Sequence, residues 1–281
     1  MFELAESFTK SKKGSAEANE DFLIDGANWL VICDGATSKS KQLRSRETDG
    51  RILAREVAMA IAGAAAGISA QELTNLATAA HLRLAAKKDQ NQHSDKSPLG
   101  VFNPMCVFIA VDKVSGTVVR VGDLHWLDGF EVHLGTKKID EINSSFRSAH
   151  LRILLAAGFN QYTLGLTDYG RDLILPSLTA QYVLCNNTGV GDLGYGAIDG
   201  QKVPEKFVES WTLSPDVKEV VVCSDGYPIP FPTLAETESY LRTDLRIDPL
   251  RIYEHPSTKG VSRGNESFDD RTYARLRRQL S

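Results

Sequence analysis

The sequence NEDFLIDGANWLVICDG (residues 19–35) contains two apolar runs, and each is followed by an Asp-Gly pair. The first pair, Asp25-Gly26, joins the runs and predicts a hairpin, because Asp-Gly favours the tight turns between antiparallel strands. The second run, LVIC at residues 30–33, is apolar at every position instead of alternating, which predicts a strand buried on both faces. Asp34-Gly35 follows this strand directly, and two interpretations stay open at this point: another turn, or part of a site.

A second stretch, VVVCSDG at residues 220–226, repeats this arrangement late in the chain. A carboxylate at the end of a buried strand is fixed by rigid backbone and faces the edge of the sheet. If the two strands are neighbours, Asp34 and Asp225 lie close together, and their like charges repel unless a cation lies between them. Oxygen ligands favour a hard ion, so the pair predicts a Mg²⁺ or Mn²⁺ site at the ends of two neighbouring strands.

The remaining segments predict two packed antiparallel sheets with helices. Apolar residues at helical spacing predict a helix over residues 48–65, and Ser69 with Glu72 forms a capping box that starts a second helix. A strand meander is predicted from residue 105 to 134, with turns at Ser115-Gly116 and Asp128-Gly129. Because the strands form hairpins and the helices come as a pair, an α+β fold is predicted instead of a parallel βαβ sheet. No repeat or linker divides the chain, so residues 1–281 are predicted to form a single domain.

The composition excludes several classes of function. The chain of 281 residues is 42% hydrophobic and 24% charged, with a formal net charge of −4, which gives no general attraction to nucleic acid or to an anionic membrane. No apolar run reaches the roughly 20 residues that span a bilayer. The four cysteines lack C-x-x-C spacing and are predicted to be buried free thiols of a cytoplasmic protein. The basic sequence RTYARLRRQL (residues 271–280) is predicted to be a solvated strand or tail, not a nucleic-acid-binding segment.

Five acidic motifs follow one another along almost the whole chain. They are NED (19–21), VICDG (31–35), VGD (121–123), VVCSDG (221–226) and DDRT (269–272). With these motifs in this order, and with two helices predicted after the second, the sequence resembles the metal-dependent protein phosphatases of the protein phosphatase 2C type, the PPM family. The last motif stands where that family usually has Asp-Asn-x-Thr.

The resemblance implies a fold, a reaction and a ligand set. The fold is a four-layer α/β/β/α sandwich with a pair of helices on each outer face. The reaction is hydrolysis of phosphoserine or phosphothreonine in proteins by a hydroxide that bridges two Mn²⁺ or Mg²⁺ ions. The implied metal ligands, direct or through water, are Glu20, Asp34, Gly35, Asp123, Asp225 and Asp269. Catalysis would act through the metal-activated water at Asp34, Asp225 and Asp269; Asp34 would bridge both ions, Asp123 would bind a third, weaker ion, and Asp21 would orient ligands or waters.

The sequence departs from the family pattern at positions that face the substrate. Ala16 stands where many members have an arginine that binds the substrate phosphate, and Ala36 stands where some have a histidine proposed as general acid. One interpretation is an active phosphatase whose phosphate is bound by other basic side chains, with Lys12, Lys13, Arg44 and Arg46 as candidates. A basic residue in such a position is more often a solvated surface charge, and that interpretation stays open for each of the four. The alternative is a protein that binds metal but hydrolyses little and serves as a regulator or scaffold.

Overall fold

Two five-stranded antiparallel sheets form the centre of the molecule in a computed structural model that describes residues 1–36, 47–89 and 104–279. Sheet 1 contains, in spatial order, β1 (Phe2–Lys10), β10 (Arg271–Arg278), β9 (Glu219–Cys223), β6 (His125–Leu127) and β7 (Val132–His133). Sheet 2 contains, in spatial order, β2 (Asp21–Asp25), β3 (Trp29–Ala36), β4 (Met105–Asp112), β5 (Thr117–Val121) and β8 (Glu209–Thr212). The predicted α+β architecture of antiparallel sheets with helices is therefore confirmed.

The described ranges contain six α-helices, some of which pack on the outer faces of the sheets. They are α1 (Asp49–Ala62), α2 (Ala70–Asp89), α3 (Lys138–Ala156), α4 (Gln161–Leu166), α5 (Tyr169–Ala180) and α6 (Leu234–Ile247). Helices α1 and α2 pack on sheet 2, and the predicted capping box of α2 is present, since Ser69 and Glu72 exchange hydrogen bonds between side chain and backbone. Helix α6 packs on the outer face of sheet 1 together with residues 249–268, which we call the 249–268 segment. Helix α3 packs against α5.

The strand LVIC is buried on both faces, as its composition predicted. Leu30 and Ile32 point into the core between the sheets, where they meet Val220 and Val222 of β9. Val31 and Cys33 point to the opposite face. Each of these side chains is fully buried, and burial of one such aliphatic side chain contributes about 1.5–3 kcal/mol to folding. The end of β3, and hence Asp34, is fixed by packing on both sides.

The C-terminal basic sequence is a buried strand, so the prediction of a solvated strand or tail is wrong. Strand β10 pairs with β1 on one side and β9 on the other, and Tyr273, Ala274 and Leu276 are fully buried. The arginines do not prevent burial because they pair with acids. Arg275, for example, donates to Glu219 at 3.2 Å. Strand β1 itself was not predicted, although its sequence FELAESFTK alternates in burial along most of its length.

The four cysteines are buried and unpaired, as predicted. They are packed inside the apolar clusters of the sheets, where the thiol behaves as a small apolar group. None of the helices within the described ranges is both long enough and apolar enough to cross a membrane.

Candidate functional site

Asp34 and Asp225 lie at the same end of the sandwich but on opposite sheets. Asp34 belongs to β3 of sheet 2, and Asp225 follows β9 of sheet 1. The prediction that their strands are neighbours in one sheet is therefore wrong. The two strands are both apolar throughout, and such a pattern does not distinguish a neighbour in one sheet from a partner across the core. The two carboxylates line a cavity where the two sheets meet.

The glycines of these two Asp-Gly pairs permit close approaches of the backbone. Gly35 and Gly226 do not have positive φ angles, so neither needs glycine for a turn. A Cβ at Gly35 would lie 2.2 Å from the carbonyl oxygen of Gly50 in α1, and one at Gly226 would lie 1.9 Å from the carbonyl oxygen of Asp270. A side chain at either position would collide with backbone. Both pairs are thus parts of a tightly packed site and not hairpin turns.

The cavity has a volume of about 720 Å³ and a strongly charged lining. Its acidic residues are Glu20, Asp34, Asp123, Asp140, Asp168, Asp225, Asp269 and Asp270. Its basic residues are Lys12, Lys13, Lys137, Arg171, Lys259 and Arg263. The structure therefore brings together the carboxylates and the Gly35 backbone that the resemblance implied as metal ligands, although they come from widely separated parts of the chain.

Asp21 lies behind the cavity and not in its lining. It is opposite Asp34 in the β2–β3 ladder, and its Oδ2 accepts a hydrogen bond of 2.6 Å from the Ser224 hydroxyl. The same hydroxyl oxygen accepts the backbone N–H of Thr272 at 2.9 Å. Asp21 therefore links β2 of sheet 2 to the segment before Asp225 and to β10 of sheet 1.

Asp270 joins three backbone segments at the wall of the cavity. Its Oδ1 accepts the backbone N–H of Lys12 and its Oδ2 accepts that of Glu20, both at 2.9 Å. The carbonyl oxygen of Glu20 in turn accepts the N–H of Gly35 at 3.2 Å. These bonds fix the end of β1, the start of β2 and the end of β3 relative to the final strand.

Burial and mutual repulsion raise the pKa values of the central carboxylates. Burial, followed by the charges of Asp21 and Asp225, raises the pKa of Asp34 well above its usual range. Burial, followed by the charges of Asp123 and Asp269, raises the pKa of Asp225 to about 8. Burial also raises the pKa of Asp21 to about 7. Within the described residues, no hydrogen bond or ion pair reaches the carboxylates of Asp34 and Asp225.

The other two predicted metal-binding aspartates are paired with lysines. Lys12 Nζ lies 2.8 Å from Asp269 Oδ1, and Lys259 Nζ pairs with Asp269 Oδ2. Burial opposes ionisation of Asp269, but the ammonium groups of Lys259 and Lys12 outweigh it and lower its pKa to about 2. Lys137 Nζ lies 2.8 Å from Asp123 Oδ2. Burial disfavours the charged form of Lys137, but the carboxylates of Asp123 and Asp140 outweigh it and raise its pKa.

The donor set fits a hard divalent cation at Asp34 and Asp225. Two neighbouring carboxylates without an ion-pair partner, at a site shielded enough to raise their pKa values, are the chemistry that binds Mg²⁺ or Mn²⁺ and that is costly without a cation. At the same time, no group of three or more His, Cys, Asp or Glu side chains in the described ranges is arranged to bind a metal ion as it stands. Asp269 and Asp123 instead have carboxylate oxygens paired with lysine ammonium groups.

Two of the four basic residues predicted to bind phosphate line the cavity. Lys12 is engaged with Asp269, and Lys13 is exposed at the cavity. Arg44 and Arg46 lie outside the described residues. Ala36, at one position where the family pattern is broken, lines the same cavity, but Ala16 lines a separate groove of about 230 Å³.

Sequence reasoning missed four further charged residues of the cavity lining, which are Lys137, Asp140, Arg171 and Lys259. They lie at the start of α3, in α5 and in the 249–268 segment, and none follows an apolar strand or belongs to a spaced motif. Their role depends on tertiary pairing alone. No signal in the sequence could have selected them from the other charged residues.

Comparison with known proteins finds likeness in structure but not in sequence. No family model matches the chain, and no curated protein matches it. The crystal structure of the serine/threonine phosphatase PstP/Ppp of Mycobacterium tuberculosis is 15% identical and superposes with a TM-score of 0.51, covering 99% of each chain. A bacterial serine phosphatase is 13% identical with a TM-score of 0.50, again covering 99% of each chain. Over its whole length, the chain therefore has the fold of these phosphatases.

Proposed function

We propose that the protein is a phosphatase that hydrolyses phosphoserine or phosphothreonine in proteins with the help of a Mn²⁺ or Mg²⁺ ion. The observation that carries the proposal is the pair of half-buried carboxylates, Asp34 and Asp225, which face the same cavity from opposite sheets and form no ion pair with a described residue. A divalent ion bound there would lower the pKa of a water molecule toward neutrality and offset the charge of a phosphoryl group.

The chain itself would orient the reacting groups. Asp34 and Asp225 would bind the ion, and the main chain around Gly35 is fixed for this by its contact with Gly50. Asp21 would hold the end of sheet 2 against Ser224, so that the two carboxylates keep their separation. Neither a cysteine nor a serine nucleophile is needed, and burial raises the pKa of the Cys33 thiol well above its usual range, which disfavours the reactive thiolate.

The phosphate of the substrate would be bound by basic side chains at the mouth of the cavity. Lys13 and Arg263 are exposed there, whereas Lys12 already pairs with Asp269. Lys13 lies in the turn after β1, close in sequence to Ala16, where the family pattern has its arginine. We therefore assign Lys13 and Arg263 as the phosphate-binding residues of this proposal.

The test is hydrolysis of p-nitrophenyl phosphate and of a phosphothreonine peptide by the purified chain. We expect phosphate release that needs Mn²⁺ or Mg²⁺, stops in excess chelator and is lost in Asp34→Asn and Asp225→Asn. Lys13→Ala should raise KM and lower kcat/KM by roughly 10-fold or more, since one charged contact to phosphate is lost. Turnover that persists in both aspartate variants, or in saturating chelator, would contradict the proposal.

A second candidate is a metal-binding regulator with little or no hydrolysis. The observation in its favour is that Lys12, Lys137 and Lys259 pair with two of the acids that the family resemblance implies as ligands. It predicts Mn²⁺ binding by calorimetry, lost in Asp34→Asn, together with no turnover on a panel of phosphopeptides. The same protein preparation therefore distinguishes the two functions.

A further inference from the structure

Both carboxylate oxygens of Asp269 are already bound to cations that the chain supplies. Lys12 Nζ lies 2.8 Å from Oδ1, and Lys259 Nζ pairs with Oδ2. The three side chains are largely shielded from water, with exposed fractions of 14% for Asp269, 19% for Lys12 and 29% for Lys259. A metal ion that bound Asp269 would have to displace one ammonium group and leave it in a partly buried position without its partner, which is strongly unfavourable.

The two lysines come from distant parts of the chain, and backbone hydrogen bonds hold the segment that carries each of them. The backbone N–H of Lys12 donates to Asp270 Oδ1 at 2.9 Å, where Asp270 also binds the start of β2. Lys259 follows Ser257 and Thr258 in the 249–268 segment, and the carbonyl oxygens of these two residues accept hydrogen bonds from Arg147 and Arg171 at 3.0 and 2.8 Å. Both lysines of the bridge Lys12–Asp269–Lys259 therefore belong to segments that the fold holds in place, unlike mobile lysines on a protein surface.

Among the aspartates implied as metal ligands, the carboxylates that the chain's own lysines do not pair carry the charge to balance one divalent ion. Asp123 is paired with Lys137 at 2.8 Å, so its charge is also compensated by the chain. Asp34 and Asp225 are the two aspartates among the implied ligands that have no ion-pair partner within the described residues. Two carboxylate charges match the charge of a single Mn²⁺ or Mg²⁺ ion.

We infer that the ammonium groups of Lys12 and Lys259 stand in the place of a second divalent ion beside Asp269, and that the cavity binds one divalent ion, at Asp34 and Asp225. The inference rests on the cation site of the proposed function and sets its stoichiometry. It also gives the lysines a role in the site: they supply fixed positive charge where a two-metal centre would need a second ion.

The test is to count Mn²⁺ ions in the folded protein. Chelator-treated protein would be titrated with Mn²⁺ by calorimetry, the bound metal measured by elemental analysis, and the bound state examined by electron paramagnetic resonance. We expect one Mn²⁺ per chain with the spectrum of an isolated ion. Asp269→Asn should still bind one, because Asp269 is not a ligand. The double variant Lys12→Met/Lys259→Met frees both oxygens of Asp269 and should bind two, with the spectrum of a spin-coupled pair.

The matched control is Lys113→Met, which removes another lysine–aspartate pair, Lys113–Asp25 at 2.7 Å, outside the cavity. It should leave one ion per chain. Two coupled ions in the unmodified protein, or loss of an ion in Asp269→Asn, would overturn the inference, and so would a single ion in the double variant when circular dichroism shows it to be folded. Failure of the proposed function is a separate outcome. One bound ion without turnover would contradict hydrolysis but not the stoichiometry. Turnover with two bound ions would contradict the stoichiometry but not hydrolysis.

Discussion

At the scale of single residues, the ionised carboxylates that the proposed function needs lower the stability of the metal-free fold. In the metal-free protein, Asp225 and Asp21 have pKa values of about 8 and about 7. Both lie above the usual value for an aspartate in an unfolded chain, so the folded state binds more protons between about pH 4 and 8. Stability of the metal-free protein is therefore lost as pH rises through this interval.

Asp225→Asn should stabilise the metal-free protein, because it removes a repelled charge. We expect its free energy of unfolding at pH 8 to exceed that of the unmodified chain by about 2 kcal/mol, with a smaller difference at pH 5. Urea denaturation of chelator-treated protein at both pH values measures this. A variant that is less stable at pH 8, or a difference that does not change with pH, would show that the carboxylate is not under repulsion.

The acids could be predicted from the sequence, but the lysines could not. Asp34 and Asp225 each follow a short, wholly apolar run, so their position at the end of a buried strand is a local property of the chain. Lys137 and Lys259 have no such context. Whether a lysine in a loop is solvated or paired with an aspartate depends on segments that meet only in the folded protein, which is why the sequence favoured a solvated surface charge at Lys12.

At the scale of elements, Arg147 of α3 joins the wall of the cavity that carries Lys259. Its side chain is fully buried and binds both carboxylate oxygens of Asp168, the N-cap of α5, at 3.1 and 2.6 Å. It also donates to the carbonyl oxygens of Arg251 and Ser257 at 3.3 and 3.0 Å. One guanidinium group thus connects α3, α5 and the 249–268 segment.

Arg147→Met should destabilise the protein by about 3–5 kcal/mol, because it leaves Asp168 and two backbone carbonyls without their partner. Amide hydrogen exchange should also become faster in residues 249–263, where the segment loses its anchor. Arg83→Met, which replaces an exposed arginine of α2 far from this segment in the chain, is the control and should change stability by no more than about 0.5 kcal/mol. Equal effects of the two substitutions would argue against this role for Arg147.

Helices and strands could be predicted where a local signal in the sequence, such as a cap or a turn, marks them. The capping box fixed the start of α2, and the meander of β4 to β7 follows its turns. Strand β10 was misjudged because a run with several arginines looks solvated, whereas Arg271 is buried against Glu238 of α6 and Arg275 pairs with Glu219 of β9. Such pairing joins residues far apart in the chain and leaves no mark in the local sequence.

At the scale of the whole molecule, two sheets meet so that acids from both enclose one cavity. The sequence indicated two packed antiparallel sheets, but it did not indicate which strand belongs to which sheet. β3 and β9 share the same apolar pattern, and only the fold places Asp34 and Asp225 opposite each other across the sandwich. The central claim that follows is that this arrangement needs a divalent cation to balance the charge between the sheets.

The thermal unfolding of chelator-treated protein with and without Mn²⁺ tests this claim most directly, because it requires no knowledge of the substrate. With Mn²⁺ at 100 times its Kd, we expect about 2.7 kcal/mol of added stability, which raises the Tm of the unmodified chain by roughly 5 °C. Asp34→Asn should show no such rise, whereas Asp216→Asn, an exposed acid outside the cavity, should show all of it. An unmodified chain that Mn²⁺ does not stabilise, or an equal rise in Asp34→Asn, would contradict the account.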